Sequence, residues 1–296
     1  MPEIVVVGGG VVGLSIAWSL RRRGADVTLL ERAVCGQGST AKATGGVRTQ
    51  FGSEVNVRLT LASLEYFRSW GEIHGGDVGY RPIGYLFLAS TPEHLESQRR
   101  GAELQRRCGA RVDLLKPSEL EARLSGVDLE GVLGGSFGPD DGLADPGAAV
   151  SSLVSSCRRA GVVSREAVGV DGVLAGSHGP ALSTSAGDVV ADTVVIAAGP
   201  WTPALLERSG YQLPITPRHR QVYRAAGITG LSPSCPFVID LGTGVYFHPD
   251  AQGIVFGGGD REGTPGLDDS FRSEEAPRVI ELLARRLPQA IDAHLA

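Results

Sequence analysis

Short, unbroken apolar runs mark the start of the chain. Residues 4–7 and 27–30 are two such runs, and their composition is typical of strands buried on both faces of a parallel sheet. The residues between them have the pattern of a helix that stops at Gly24. The chain therefore opens with a predicted strand–helix–strand unit, and a third run at 194–199 predicts another buried strand.

Amphipathic helices and short strands follow. The predicted helices cover residues 54–70, 91–108, 147–160 and 273–286. The apolar stripe of the first is predicted to consist of Val55, Leu59, Ala62, Leu64, Tyr66 and Phe67. A strand pair or hairpin is predicted at 80–89, and strands divided by Pro, Gly and Asp are predicted at 217–223, 237–241, 244–248 and 253–257.

Two interleaved domains of an α/β protein follow from this order of elements. Segments 1–75 and 140–213 have the parallel strand–helix rhythm of a Rossmann-like domain. Segments 76–139 and 214–296 break that rhythm and predict an α+β domain on an antiparallel sheet.

A glycine triplet follows the first predicted strand. Gly8, Gly10 and Gly13 form G-x-G-x-x-G, and Glu31 lies 18 residues beyond Gly13 at the end of the second strand. These glycines allow a tight turn, close approach of a pyrophosphate and close packing of helix on strand. Glu31 can accept hydrogen bonds from both ribose hydroxyls, and its charge disfavours a 2′-phosphate. The unit predicts dinucleotide binding.

Net charge, hydropathy and the spacing of cysteines and aspartates limit the partners, the location and the metal sites that we expect. A net charge of -5 gives no reason to expect nucleic acid or an anionic membrane as partner. No apolar run could span a bilayer, and the first strand starts too early for a signal peptide, so we expect a cytoplasmic protein.

The four cysteines have no C-x-x-C spacing. Asx turns and a helix N-cap explain Asp140, Asp141 and Asp145 better than a metal would, and no metal site is predicted.

Three segments together resemble a known family. They are the glycine-rich opening with Glu31, the D-D-G-L-A-D-P turn at 140–146, and V-I-A-A-G-P-W at 195–201 with Pro214 beyond it. The chain is similar over residues 1–260 to the D-amino acid oxidase / glycine and sarcosine oxidase family of FAD-dependent oxidoreductases. Residues 45–51 and 56–59 most resemble the branch of sarcosine oxidase β-like proteins and dye-linked proline dehydrogenases.

The resemblance implies an FAD-binding Rossmann-like domain and an antiparallel sheet that covers the flavin in a substrate domain. Gly8, Gly10 and Gly13 would hold the pyrophosphate. Glu31 would hold the adenosine ribose, and its neighbour Arg32 would also bind the cofactor. The ribityl chain would run along Ser39, Thr40, Thr44, Gly45 and Gly46. The backbone of Val168 would hold adenine, and Ala198 and Gly199 would close over the pyrophosphate.

The resemblance also implies the chemistry. Flavin N5 accepts a hydride from the carbon that bears a neutral amine, and water hydrolyses the resulting imine. Such substrates usually carry a carboxylate, for which Arg48 is the first candidate partner; its alternative role is to neutralise the FAD phosphates. Tyr246 and His248 would line the substrate pocket, although Tyr246 could instead be ordinary sheet packing. Sarcosine, proline, glycine and D-amino acids all remain open as substrates.

Two departures from the family pattern refine these expectations. No lysine occurs at 253–257, where oxidases of the family commonly carry one near flavin N5, so we expect a dehydrogenase that passes electrons to a quinone or a partner protein. Family members usually continue for several dozen residues beyond this chain. That predicts a shortened piece, a hetero-oligomer whose other subunit completes the site, or impaired flavin binding.

The competing functions are an NAD-dependent oxidoreductase and a non-catalytic flavin-binding subunit. Cys35 is the only thiol near the cofactor path, and covalent attachment is not expected.

Overall fold

A computed structural model describes residues 3–176, 179–228, 230–259 and 263–295. The helices are α1 (Val11–Arg22), α2 (Glu54–Arg68), α3 (Trp70–His74), α4 (Pro92–Arg107), α5 (Pro117–Arg123), α6 (Pro146–Ala160), α7 (Thr202–Glu207) and α8 (Ala276–Ala284). Short 3-10 turns cover Gly199–Trp201, Ser273–Glu275 and Pro288–Asp292. Within these ranges, no helix combines the length and apolar character needed to cross a membrane.

The strands are numbered in chain order. They are β1 (Glu3–Val7), β2 (Asp26–Leu30), β3 (Gly46–Val47), β4 (Tyr85–Ala89), β5 (Asp113–Leu115), β6 (Gly134–Gly138), β7 (Gly142–Leu143), β8 (Val163–Arg165), β9 (Val170–Gly176), β10 (Gly179–Thr184), β11 (Val189–Val190), β12 (Thr193–Ile196), β13 (Val222–Ala226), β14 (Phe237–Asp240), β15 (Val245–Asp250), β16 (Gly253–Gly258) and β17 (His294–Leu295).

A four-stranded parallel sheet, in the order β12-β1-β2-β8, confirms the predicted strand–helix–strand opening. Val6 pairs with Val195 on one side and with Leu29 on the other. Val6 and Leu29 are fully buried beneath α1 and α6, where Leu14 and Leu153 complete the core. The buried β-branched strands therefore place the carboxyl ends of β1 and β2 side by side, at the edge where open α/β sheets bind ligands.

The second large sheet has eight strands in the order β17-β13-β16-β15-β14-β4-β6-β5. Its neighbours are antiparallel except for β14, which runs parallel to β4. One face packs Leu86, Phe247 and Phe256 against the helices α5 and α8. The other face presents aromatic side chains to the short ribbon of β3 and β7.

Three predicted elements differ from the structure. Residues 80–89 contain only β4, and Arg81 makes an isolated bridge to Leu143 instead of forming a hairpin. β13 begins at Val222 rather than at 217. The predicted stripe on α2 is wrong in part, because Val55 and Leu59 are 67% and 63% exposed. The helix instead buries Val57 against α4, and its Tyr66 and Phe67 pack towards α3.

A buried ion pair joins the end of α8 to the eight-stranded sheet. Arg286 Nε donates to Asp240 Oδ2 at 2.9 Å, with the two side chains 8% and 1% exposed. The same guanidinium donates to the Glu130 carbonyl at 2.8 Å. Both charges are thus held by hydrogen bonds away from water.

Replacing Arg286 with methionine should leave the Asp240 carboxylate buried without its partner. We expect the free energy of unfolding to fall by about 3–5 kcal/mol, measured by urea denaturation. Arg99→Met is the control, since Arg99 pairs with Glu96 and Glu103 on an exposed face of α4 and should cost less than about 1 kcal/mol. Equal losses in the two variants would contradict the prediction.

Candidate functional site

The turn between β1 and α1 requires glycine where a side chain would collide with backbone. Gly8 has a φ of 111°, and a Cβ there would lie 2.4 Å from the Ala197 carbonyl oxygen. A Cβ on Gly13 would lie 1.9 Å from the Gly8 carbonyl oxygen. These glycines let α1 and the residue after β12 press directly against the turn, as the dinucleotide motif requires.

The amino end of α1 is open to an anion. Gly10 caps the helix without a side-chain hydrogen bond, and the first turn contains no acidic residue. The hydroxyl of Thr40 accepts the Val11 N–H at 3.2 Å. The other N–H groups of this turn and the positive end of the helix dipole fit a pyrophosphate.

Residues predicted to hold the adenosine half gather beside this turn. The Glu31 carboxylate accepts the N–H groups of Gly9 at 2.6 Å and Ala33 at 2.9 Å. A carboxylate has about four acceptor positions, so ribose hydroxyls can still bind it. The Val168 N–H donates to the Glu31 carbonyl at 2.9 Å. This places Val168 next to Glu31 but gives its N–H a partner within the chain.

Arg32 and the segment after β12 flank the same end of the site. The Arg32 guanidinium lies 3.8 Å from the centre of the Trp201 ring, a cation–π contact. Ala198 begins the 3-10 turn that carries Trp201, and Gly199 has a φ of 53° with open space at its Cβ position. Ala198 and Gly199 therefore border the glycine turn through their neighbour Ala197.

The polar loop after Glu31 runs from the glycine turn to the eight-stranded sheet. The Gly36 N–H donates to the Gly9 carbonyl at 2.9 Å, which docks the start of the loop. Ser39 lies exposed along it and Thr44 is half-buried. At its far end a Cβ on Gly45 would lie 2.1 Å from the Ala144 carbonyl oxygen, and one on Gly46 would lie 2.4 Å from the Tyr85 hydroxyl. The loop thus reaches the aromatic face of the sheet.

Cys35 is a free, half-buried cysteine in this loop. Burial, helped by the Glu166 carboxylate, raises its pKa to about 12. A thiol of that pKa is a poor nucleophile.

Arg48 lies on the aromatic face, next to the sheet that the loop reaches. Its guanidinium carbon is 4.8 Å from the ring centre of Phe51, 5.4 Å from that of Phe87 and 5.9 Å from that of Tyr85. Across the described ranges, no ion pair joins this guanidinium to a carboxylate. Arg48 is therefore a half-buried cation with its polar edge available for an anion.

Phe237 connects the remaining predicted substrate residues to Arg48's neighbours. Its ring stacks on Tyr85 at 4.1 Å between centres, and it contacts Tyr246 at 5.5 Å and His248 at 4.9 Å. Tyr246 and His248 are two residues apart on β15, so both side chains lie on the aromatic face. Arg48, Tyr246 and His248 are thus brought to one side of one sheet.

His248 combines burial with an unpaired nitrogen. Its Nδ1 lies 2.9 Å from the Pro249 carbonyl oxygen, which can only accept, so Nδ1 carries the hydrogen. Burial lowers the His248 pKa, which favours the neutral ring with a lone pair on Nε2. That Nε2 is buried and has no hydrogen-bond partner among the described residues. Burial also raises the pKa of Tyr246 to about 12, so its phenol remains a donor.

The three aspartates of the turn at 140–146 have separate partners. Asp145 accepts the N–H groups of Gly147 and Ala148, which confirms the predicted N-cap of α6. Asp140 pairs with the guanidinium groups of Arg68 and Arg111 at the surface.

Asp141 holds the residue next to Arg48, and the sequence did not reveal this contact. Its carboxylate is fully buried and accepts both the N–H and the hydroxyl of Thr49, at 2.8 and 2.7 Å. Burial raises the Asp141 pKa to about 6 despite these hydrogen bonds. Thr49 and Gln50 are buried polar residues beside Arg48, but no local pattern marks them as such.

Known proteins match this chain over nearly its whole length. The family profile described as "FAD dependent oxidoreductase" (DAO) matches residues 3–296. FAD-dependent oxidoreductase domain-containing protein 1 of Xenopus laevis is 30% identical, over 97% of this chain and 66% of that protein. 4-Methylaminobutanoate oxidase (formaldehyde-forming) of Paenarthrobacter nicotinovorans is also 30% identical, over 88% of this chain and 32% of that enzyme. The chain thus spans about two thirds and one third of these two relatives.

A solved structure gives the same picture. L-Proline dehydrogenase from P. horikoshii superposes with a TM-score of 0.88 and 28% identity, covering all of this chain and 79% of that one. The match covers the whole chain, so both large sheets are shared with a solved fold.

Proposed function

The chain belongs to the DAO family of FAD-dependent oxidoreductases, and from that premise we propose that it oxidises the C–N bond of a small amine or amino acid that carries a carboxylate. The unpaired guanidinium of Arg48 on the aromatic face is the observation that carries the proposal. A planar guanidinium offers two parallel N–H donors, which match a carboxylate. Two of the similar proteins are named for proline and for 4-methylaminobutanoate, and both of these substrates are carboxylated amines.

The cofactor site is assigned to the residues around the glycine turn. FAD, when bound, supplies the flavin that accepts the hydride. We assign its pyrophosphate to the amino end of α1 with Ala198 and Gly199, and its adenosine to Glu31, Arg32 and Val168. The loop through Ser39, Thr40, Thr44, Gly45 and Gly46 then directs the other end of the cofactor towards the aromatic face.

Arg48, Tyr246 and His248 divide the substrate between them in this proposal. Arg48 fixes the carboxylate, which restricts how the amine can turn. Burial favours the neutral form of His248, whose buried Nε2 is an acceptor without a partner among the described residues on the same face. The Tyr246 phenol closes the same face and can donate to a substrate oxygen. The Tyr85 and Phe237 rings on this face are buried.

A dehydrogenase is favoured over an oxidase. The only lysines of the chain are Lys42 and Lys116, and neither lies on β16. Lys42 pairs with Asp269, and Lys116 precedes α5. We expect reduced flavin in this protein to be reoxidised faster by an artificial dye than by dissolved oxygen, as followed by stopped-flow absorbance. Faster reoxidation by air than by the dye would contradict this.

The proposed function is tested by anaerobic bleaching of the purified yellow protein. Sarcosine, L-proline, glycine and a D-amino acid are compared with dimethylamine and pyrrolidine, which lack the carboxylate. Bleaching by at least one carboxylated amine, at concentrations where its matched amine is inert, supports the proposal. Equal bleaching by both members of each pair, or bleaching by neither with FAD bound, overturns it.

A further inference from the structure

Asp141 lies directly behind the Arg48 segment. We propose that Asp141 is a positioning residue for the substrate carboxylate: it fixes residues 48–50 so that the Arg48 guanidinium stands unpaired over the aromatic face. This inference rests on the function proposed for Arg48. It assigns a role to a fully buried residue that would act through Arg48.

The hydrogen bonds of Asp141 extend the β3–β7 ribbon. The ribbon pairs Gly46 with Leu143 and Val47 with Gly142, and ends there. Beyond it, Asp141 Oδ1 accepts the Thr49 N–H at 2.8 Å and the Thr49 hydroxyl at 2.7 Å. The carboxylate therefore takes the place of the next backbone acceptor and sets the direction of the chain just after Arg48.

Gln50 ties the same segment to the eight-stranded sheet. Its Nε2 donates to the Tyr85 carbonyl at 2.9 Å and lies 3.4 Å from Asp141 Oδ2. Its Oε1 accepts the Ser136 hydroxyl at 2.8 Å. Arg48 is thus followed by two buried, hydrogen-bonded residues: Thr49 is held by Asp141, and Gln50 by β4 and β6.

Space for the Asp141 carboxylate is provided by a glycine on β6. A Cβ on Gly138 would lie 2.3 Å from Asp141 Oδ2 and 3.0 Å from Gln50 Nε2. Any residue with a Cβ at this position would collide with the Asp141 carboxylate. The pocket for the carboxylate is therefore part of the sheet.

The charge of Asp141 is near Arg48 but not paired with it. Its oxygens are taken by the neutral donors of Thr49 and Gln50, and no ion pair to Arg48 forms in the described residues. A carboxylate hydrogen-bonded in this way orders the segment without competing for the guanidinium. If Asp141 only stabilised the fold, its removal would leave the selectivity for a carboxylate unchanged. Selectivity therefore distinguishes a positioning role from a structural one.

The test compares binding of cyclopentanecarboxylate and cyclopentanecarboxamide to the FAD-loaded protein. Neither has an amine to oxidise, and Kd values are measured at pH 8 by calorimetry and by perturbation of the flavin spectrum. The ratio of the carboxamide Kd to the carboxylate Kd reports selectivity for the charge. In Asp141→Ala we expect this ratio to fall about tenfold, the loss of one well-placed charged hydrogen bond. In Asp141→Asn, whose amide oxygen can still accept from Thr49, we expect it to stay within about threefold of the original.

Asp140→Ala is the matched control, since it removes the adjacent carboxylate from the surface and should leave the ratio unchanged. An unchanged ratio in Asp141→Ala overturns the proposal, even if that variant melts at a lower temperature. A ratio in Asp141→Asn as low as in Asp141→Ala also overturns it, because charge rather than hydrogen bonding would then be responsible. If Asp141→Ala does not fold, Thr49→Val removes one of the two bonds to Oδ1. Thr49→Val should lower the ratio about threefold, and an unchanged ratio in that variant would overturn the proposal.

Arg48→Ala separates this inference from the function on which it rests. If that variant lowers the ratio and Asp141→Ala does not, only the role of Asp141 fails. If Arg48→Ala leaves the ratio unchanged, the assignment of Arg48 to the carboxylate fails first.

Discussion

A Gly13→Ala substitution is expected to remove FAD from the protein. The added Cβ would lie 1.9 Å from the Gly8 carbonyl oxygen, so α1 would have to move away from the turn. Its N–H groups and its dipole would then no longer point to the pyrophosphate site. We expect the Kd for FAD to rise at least about 100-fold, equivalent to about 2.7 kcal/mol. Flavin fluorescence titration of the apoprotein measures it.

Two other glycines serve to separate loss of FAD from loss of fold. A Cβ on Gly52 meets nothing within 4 Å, so Gly52→Ala should bind FAD normally. A Cβ on Gly10 meets only the Thr40 hydroxyl, at 3.3 Å, so Gly10→Ala should keep its far-UV spectrum and yet bind FAD more weakly. Normal FAD affinity in Gly13→Ala would contradict the assignment of the cofactor to this turn.

The opening unit was predictable because its causes are local. Apolar strand composition, the glycine spacing and the distal acid all lie within the first 31 residues, and each restricts the backbone nearby. The same holds for two helix starts. Thr91 accepts the His94 N–H and Asp145 accepts from Gly147 and Ala148, as side-chain caps do.

β6 was missed because glycine carries no strand pattern. Three of its five residues are glycine, which is depleted in strands. The structure explains their presence: a Cβ on Gly135 would lie 2.8 Å from the Phe87 carbonyl oxygen, and one on Gly138 would meet Asp141. Both reasons depend on β4 and on the turn at 140–146, so no reading of residues 134–138 alone would reveal them.

The candidate site divides in the same way. Arg48 could be singled out as a cation at the inner end of a ligand-lined loop. Its surroundings could not, because Tyr85 and Phe87 come from a different sheet. The role of Asp141 was out of reach as well, since it lies 92 residues from the Thr49 that it holds. The stripe on α2 failed for a related reason: periodicity indicates an apolar side, while the neighbours α3 and α4 decide which residues become buried.

The position of Arg48 separates its two predicted roles. Phosphate neutralisation would place its guanidinium at the glycine turn, whereas it lies among Phe51, Tyr85 and Phe87 on the sheet face. Removing it should therefore affect the substrate far more than the cofactor. Truncating one partner of a partly buried charged pair costs about 2–5 kcal/mol, and we expect the centre of that range here.

We accordingly expect Arg48→Ala to lower kcat/KM for a carboxylated amine about 100- to 1,000-fold, mainly through KM, with the Kd for FAD changed less than about threefold. Arg48→Lys should recover only part of the loss, because an ammonium keeps the charge but lacks the planar pair of donors. Arg58→Ala, which removes an exposed guanidinium paired with Glu54 on α2, is the control and should match the original protein. A larger change in the Kd for FAD than in KM would return Arg48 to the phosphates. Substrate kinetics equal to those of Arg58→Ala would leave the carboxylate without its partner, since an uncharged aromatic face alone cannot favour an anion over its neutral analogue.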